Sequence, residues 1–206
     1  MKHAVRLFVL AALPVLFVGC RWGQPLQTPA AYLPTQAGLT LIYENPQLEG
    51  AQRFSERLQV RVAEVTEVNA GRVVRQTFTT LRGEFPASFI EKDGGLWLSQ
   101  DGQTPLLMVR PEGFPDKVTF WTARNGVTFR VVGRAAVELH GLKLMSGMNP
   151  VGVWLESASG DGRRVRTFLL PELGEVETLE WRDGAWISVN RLVSVGFTEA
   201  APRREP

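Results

Sequence analysis

Histidine and cysteine are nearly missing from this chain. Two His and one Cys occur in 206 residues, and His3 lies in an N-terminal segment that reads as removable, so His140 is the one imidazole left to the body. Structural zinc takes four Cys or His ligands, and catalytic zinc takes three protein ligands. One His and one Cys cannot supply either. A lone thiol, Cys20, also forbids an internal disulfide. Calcium needs clustered oxygen ligands, whereas Asp101-Gly102 and Asp161-Gly162 are isolated turn acids. There is no Gly-x-x-x-x-Gly-Lys-Ser/Thr and no Gly-x-Gly-x-x-Gly opening a helix, so the nucleotide cradles are missing as well. No cofactor or metal is expected.

Charge of one sign is lacking too. The formal net charge of +2 comes from Lys2 and Arg6 in the N-terminal segment. Without them, 21 basic residues stand against 21 acidic ones. A nucleic-acid binder carries a clustered basic footprint, and only Arg163-Arg164 and Arg203-Arg204 are paired here; no nucleic-acid partner is expected. Nucleophilic catalysis would have to use His140, but no Gly-x-Ser-x-Gly elbow accompanies it, and Ser146 lacks that frame. Glycan hydrolysis needs two converging carboxylates. The candidates are Glu156, Glu172, Glu175, Glu177 and Glu180; the last three interleave with Val176 and Leu179 as the solvated face of a strand does. These absences lead to a reading as a non-enzyme, with no catalytic residue assigned.

What is present begins at the N-terminus. Lys2 and Arg6 precede an apolar run from Leu7 to Val18, followed by Gly19 and Cys20. A basic start, a short apolar stretch and a small residue at the cut are the parts of a secretory signal. The run is shorter than the roughly 20 residues that span a bilayer. Phe17-Val18-Gly19-Cys20 resembles the lipobox of bacterial lipoprotein signal peptidase, which implies cleavage after Gly19 and lipidation of Cys20. Two or more acyl chains hold a protein firmly to a membrane. The expected location is the cell envelope, lipid-anchored on the outer face of the cytoplasmic membrane or on the outer membrane. The reading divides the chain into a signal peptide (1–19), a lipidated Cys and flexible tether (20–31), a β domain (32–198) and a disordered tail (199–206).

The body reads as strand after strand. Residues 58–68 alternate apolar and polar, and 73–81 return after the turn Asn69-Ala70-Gly71. Further strands are expected at 95–99, 118–122, 127–132, 151–157, 163–170, 176–181 and 185–197. Asn125-Gly126 is a strong hairpin signal because both residues tolerate positive φ, and Gly133 is expected to mark a bulge. Residues 46–57 have room for one short helical turn. Strands spaced by turn signals indicate an all-β fold: a single antiparallel meander of ten to twelve strands, either a curved sheet or a half-open or closed barrel, after an N-terminal signal helix. Trp97, Trp121, Trp154 and Trp186 fall on these strands as candidate ligand contacts, with core packing as the alternative role. Phe120 and Trp121 are adjacent, so they must point to opposite faces.

Tyr32-Leu33-Pro34, Gly38 and Tyr43 resemble the opening of a group of bacterial secreted and lipoprotein β domains, whose pattern is Tyr-x-Pro, three residues, Gly-Asn-x-Trp-x-Tyr. Leu39 and Leu41 stand where that pattern has Asn and Trp. Residues 126–133 are similar to the group's middle strands, and Pro171–Val176 to its late turn. The resemblance implies a curved antiparallel sheet or half-open barrel and no particular activity. A sheet of that shape is also similar to the carriers and receptors of outer-membrane lipoprotein sorting, which hold acyl chains on a concave apolar face. Three readings follow: a non-enzymatic envelope module that binds an envelope protein or other partner; a carrier of acyl chains, which needs an open apolar cavity; and a carboxylate-based glycan hydrolase, which needs paired acids in one cleft.

Overall fold

The computed structural model describes residues 28–69, 71–100, 104–112, 114–117, 120–136 and 151–197. Gly19, Cys20, His140, Ser146 and the tail from residue 199 lie outside these, as does the expected signal helix. A 3-10 turn (η1, Pro29–Tyr32) leads into β1 (Leu39–Glu44), and a short helix α1 (Gly50–Ser55) occupies the region expected to hold a helical turn. The strands then run β2 (Leu58–Val68), β3 (Gly71–Thr80), β4 (Gly83–Lys92), β5 (Gly95–Gln100), β6 (Leu106–Val109), β7 (Phe120–Thr122), β8 (Thr128–Ala136), β9 (Val151–Ala158), β10 (Arg164–Leu170), β11 (Gly174–Arg182) and β12 (Ala185–Phe197). The protein is all-β.

All twelve strands form one antiparallel sheet in the order β6-β5-β4-β3-β2-β1-β12-β11-β10-β9-β8-β7. Each half is a meander, and the pairing of β1 with β12 joins the halves at the centre, Leu39 opposite Phe197 and Tyr43 opposite Leu192. The sheet is therefore open, with β6 and β7 at its edges, and is not a closed barrel. The edges nonetheless meet: Trp121 on β7 donates its indole N–H to the Leu107 carbonyl on β6 at 3.3 Å. Contact between opposite edges requires the sheet to curl, and Trp121 marks the inner face. Its ring stacks on Phe129, centroids 5.6 Å apart, and it is buried while Phe120 beside it is exposed.

The concave face carries the core. Leu41, Val60, Val74, Val131, Val153 and Val176 are all at most 3 % exposed, and they come from both halves of the sheet. Two-residue periodicity delivers such residues to one face, and bulges reset it. One lies between Val131 and Gly133, where Gly133 takes φ 143°. Gly152 serves close approach instead: a Cβ there would lie 2.3 Å from the Leu169 carbonyl oxygen and 2.5 Å from the Phe168 ring.

Candidate functional site

The concave face is not filled throughout. Residues of β1–β6, β9 and β10 and of the segments 32–34 and 173–175 line a cavity of about 360 Å³, within the size range of small-ligand pockets, roughly 300–1,000 Å³. Strand alternation sends Phe78, Phe85 and Phe89 into it from the β3–β4 hairpin, where Phe78 faces Phe85 across the ladder. Leu98 and Met108 continue the apolar wall on β5 and beyond. Phe85 is 51 % exposed, so the aromatic wall reaches solvent at a mouth.

A few polar groups interrupt this wall. Gln76 is 7 % exposed and lines the cavity with Gln100; both flank Ala87 in the register of β3, β4 and β5. Glu175 lines the cavity from β11. The residue is half-buried. Burial raises its pKa, and hydrogen bonds from the Thr178 hydroxyl and the Asn190 side chain only partly offset the rise. No cation faces it among these causes, so enclosure favours the neutral acid. Tyr43 donates its hydroxyl proton to the Glu175 backbone carbonyl at 2.7 Å, and burial, with the Glu175 charge, holds its phenol well above the usual value. Tyr32 also lines the cavity; burial pushes its phenol up to about 12 against the opposing charge of Arg134.

Glu175, Glu177 and Glu180 do not share a solvated face as their interleaving with Val176 and Leu179 suggests. Glu175 pairs with Leu169 and Glu177 with Phe168, leaving Val176 as an extra residue in a bulge. The extra residue breaks the two-residue parity, so acids two apart point to opposite faces. Glu177 accepts from Arg191 and Ser188, and Glu180 from Arg163 and Arg182, while Glu175 turns inward. Among the described residues that line the cavity it is the one acid.

None of the four candidate tryptophans lines the cavity. Trp121 seals the seam between the sheet edges. Trp97 donates its N–H to the Lys92 carbonyl at 3.2 Å, pairing with Ile90 on β4. Trp154 packs on Phe168, centroids 4.9 Å apart. Trp186 meets Trp181 edge-on at 5.2 Å, on the face opposite the cavity. The cavity's aromatic wall comes from the phenylalanines of β3 and β4. Residues 83–92 carry no turn-bounded alternation, and Pro86 within them counts against a strand; Phe85 and Phe89 on either side of it are the signal that could have found the wall.

Among the described residues no group of three or more His, Cys, Asp or Glu gathers as metal ligands would. The sequence matches no protein-family model, and no curated protein matches it significantly. Two solved structures are similar to the chain: a candidate lipoprotein from Parabacteroides distasonis ATCC 8503, and a candidate exported protein with YmcC-like fold from Bacteroides fragilis NCTC 9343. Each is 12 % identical with a TM-score of 0.47, over 81 % of this chain and 99 % of the other. A likeness at that level assigns no role.

Proposed function

We propose that this chain is a lipid-anchored protein of the bacterial cell envelope and a non-enzymatic binding module, whose concave face holds an apolar chain such as an acyl group. The anchor reading rests on the basic start, the short apolar run and Gly19-Cys20. The observation that carries the binding reading is the cavity: about 360 Å³, walled by phenylalanines, open at Phe85, with a few polar groups on its lining. Apolar walls with a few placed polar groups are the usual make-up of a small-molecule site. A core that merely packs would fill that space, since protein interiors approach crystal density. Burial shifts the Glu175 carboxyl toward its neutral form, and in that form it is a hydrogen-bond donor suited to the ester or amide carbonyl at the head of an acyl chain.

The test is mass spectrometry of the full lipidated chain, purified from its own envelope under native conditions. An acyl species bound near one per protein, in addition to the anchor on Cys20, is the expected result. A mass explained by the protein and its anchor alone would sink the acyl-chain reading. Ala87→Phe supplies the control: Ala87 lines the cavity between Gln76 and Gln100, and a ring there should displace the bound species.

A further inference from the structure

On the face opposite the cavity, one carboxylate gathers three arginines. Glu156 on β9 is 7 % exposed. It accepts from Arg130 Nη2 at 2.6 Å, Arg166 Nε at 2.9 Å and Arg164 Nη2 at 3.0 Å. Burial pushes its pKa up, and the hydrogen bonds from Arg166, Arg130 and Arg164 more than reverse this, so it stays ionised below the usual range. Three guanidinium charges against one carboxylate leave an excess of two positive charges. Each guanidinium carries five N–H donors, few of which Glu156 occupies, and the arginine side chains remain 26 to 37 % exposed.

Aromatic rings flank these cations. Arg166 lies 4.2 Å from the Trp186 ring centre, Arg164 lies 5.1 Å from Trp181, and Arg130 lies 5.7 Å from Phe120. Phe120 is 61 % and Trp181 37 % exposed. The register aligns Phe120, Arg130, Glu156 and Arg166 in a row across four strands, and Trp186 extends the surface to β12. Six strands at about 4.8 Å spacing make a strip on the order of 24 Å long.

We propose that this strip binds a carboxylated polysaccharide, its sugar carboxylates on the arginines and its rings against Phe120 and Trp181. Guanidinium groups match carboxylates in geometry and charge. A uronic-acid unit joins its carboxylate to a ring with a flat C–H face, so one unit engages a cation and a neighbouring aromatic together. An acidic peptide offers the carboxylate without the ring. A glycerophosphate headgroup likewise offers an anion without the ring.

The experiment is calorimetric titration of the full chain in detergent with oligogalacturonate, neutral dextran, poly-L-glutamate and glycerol phosphate. Oligogalacturonate should bind, and bind more tightly than poly-L-glutamate and glycerol phosphate; dextran should not bind. Arg164→Gln should weaken binding by about tenfold, the loss of one charge-assisted contact. Phe120→Ala should weaken it several-fold with the melting temperature unchanged, because that ring is exposed and leaves the Glu156 cluster intact. If Arg164→Gln fails to fold, Phe120→Ala decides alone. Failure of oligogalacturonate to bind, equal affinity for poly-L-glutamate or glycerol phosphate, or full affinity in Phe120→Ala would each overturn the proposal. Acyl occupancy of the cavity should be the same in Phe120→Ala, so the two sites fail or stand separately.

Discussion

Glu175→Gln should make the protein more stable at neutral and alkaline pH, an unusual outcome for removing a polar contact. Enclosure raises the Glu175 pKa above the ordinary 4.5, against hydrogen bonds from Thr178 and Asn190. In the unfolded chain the group loses its proton near 4.5; in the folded protein it keeps the proton to higher pH. Between the two values the folded state binds more protons, so stability falls as pH rises, by up to about 1.4 kcal/mol per pH unit. Below the unfolded pKa both states are protonated and the penalty vanishes. Above the folded pKa it is fully developed and levels off. Gln keeps the shape and a carbonyl acceptor for Thr178, and it never ionises. Urea unfolding followed by tryptophan fluorescence at pH 4, 6 and 8 reads the difference. The wild type and Glu175→Gln should agree within a few tenths of a kcal/mol at pH 4, and the variant should be the more stable at pH 8. Parallel pH profiles, or a variant less stable than wild type at pH 8, would refute the enclosed-acid argument.

Trp121→Ala removes the stack on Phe129 and the bond to the Leu107 carbonyl that joins the sheet edges. It should cost about 3–5 kcal/mol, in the range of buried aromatic truncations, and hydrogen exchange should quicken first in β6 and β7; uniform exchange would show that the seam holds without it. Gly152→Ala places a Cβ 2.3 Å from the Leu169 carbonyl oxygen, a backbone atom that cannot swing away. A loss of about 1–3 kcal/mol or more is expected from this overpacking, and a melting temperature within a degree of wild type would contradict the close approach. Cys20→Ser leaves no thiol to acylate, so the protein should move from the membrane fraction to the soluble fraction; full retention in the membrane would remove the lipid anchor from the reading.

Most of the fold could be read from turn chemistry and alternation. Residues 58–68 alternate apart from a break at Val62-Ala63, where the ladder bulges, and form β2 over those same residues, and 185–197 form β12. Gly133 is a bulge, as a Gly within a strand pattern suggests. Three strands escape this reading for local reasons. β1 is short, β6 has four residues, and β4 contains Pro86 at a position paired with Thr77. The link between the halves was hidden for a different reason. β1 and β12 pair across almost the whole chain, and a contact of that separation leaves no trace in local periodicity. A meander of consecutive hairpins therefore reads the same from sequence whether its ends pair with each other or its middle strands do.

The site was less legible than the fold, and Glu175 shows why. Alternation assigns a face to each residue only while the count of residues between ladders is unbroken. One extra residue, Val176, reverses the assignment, so Glu175 faces the cavity while Glu177 meets Arg191 on the other side. The tryptophans mislead in the opposite direction. They are the largest side chains, yet Trp121 is committed to the seam and Trp154 to Phe168, so size alone did not place them at a ligand. What walls the cavity is the pairing of Phe78 with Phe85 across one hairpin, set by register rather than by composition. The same register lays Arg130, Glu156 and Arg166 in a row on the opposite face. A single curled sheet thus separates an apolar, acid-bearing interior from a cationic, aromatic exterior at a distance of one backbone thickness. Substitutions on one face should leave binding at the other intact, unless they shift a bulge and exchange the faces of every residue beyond it.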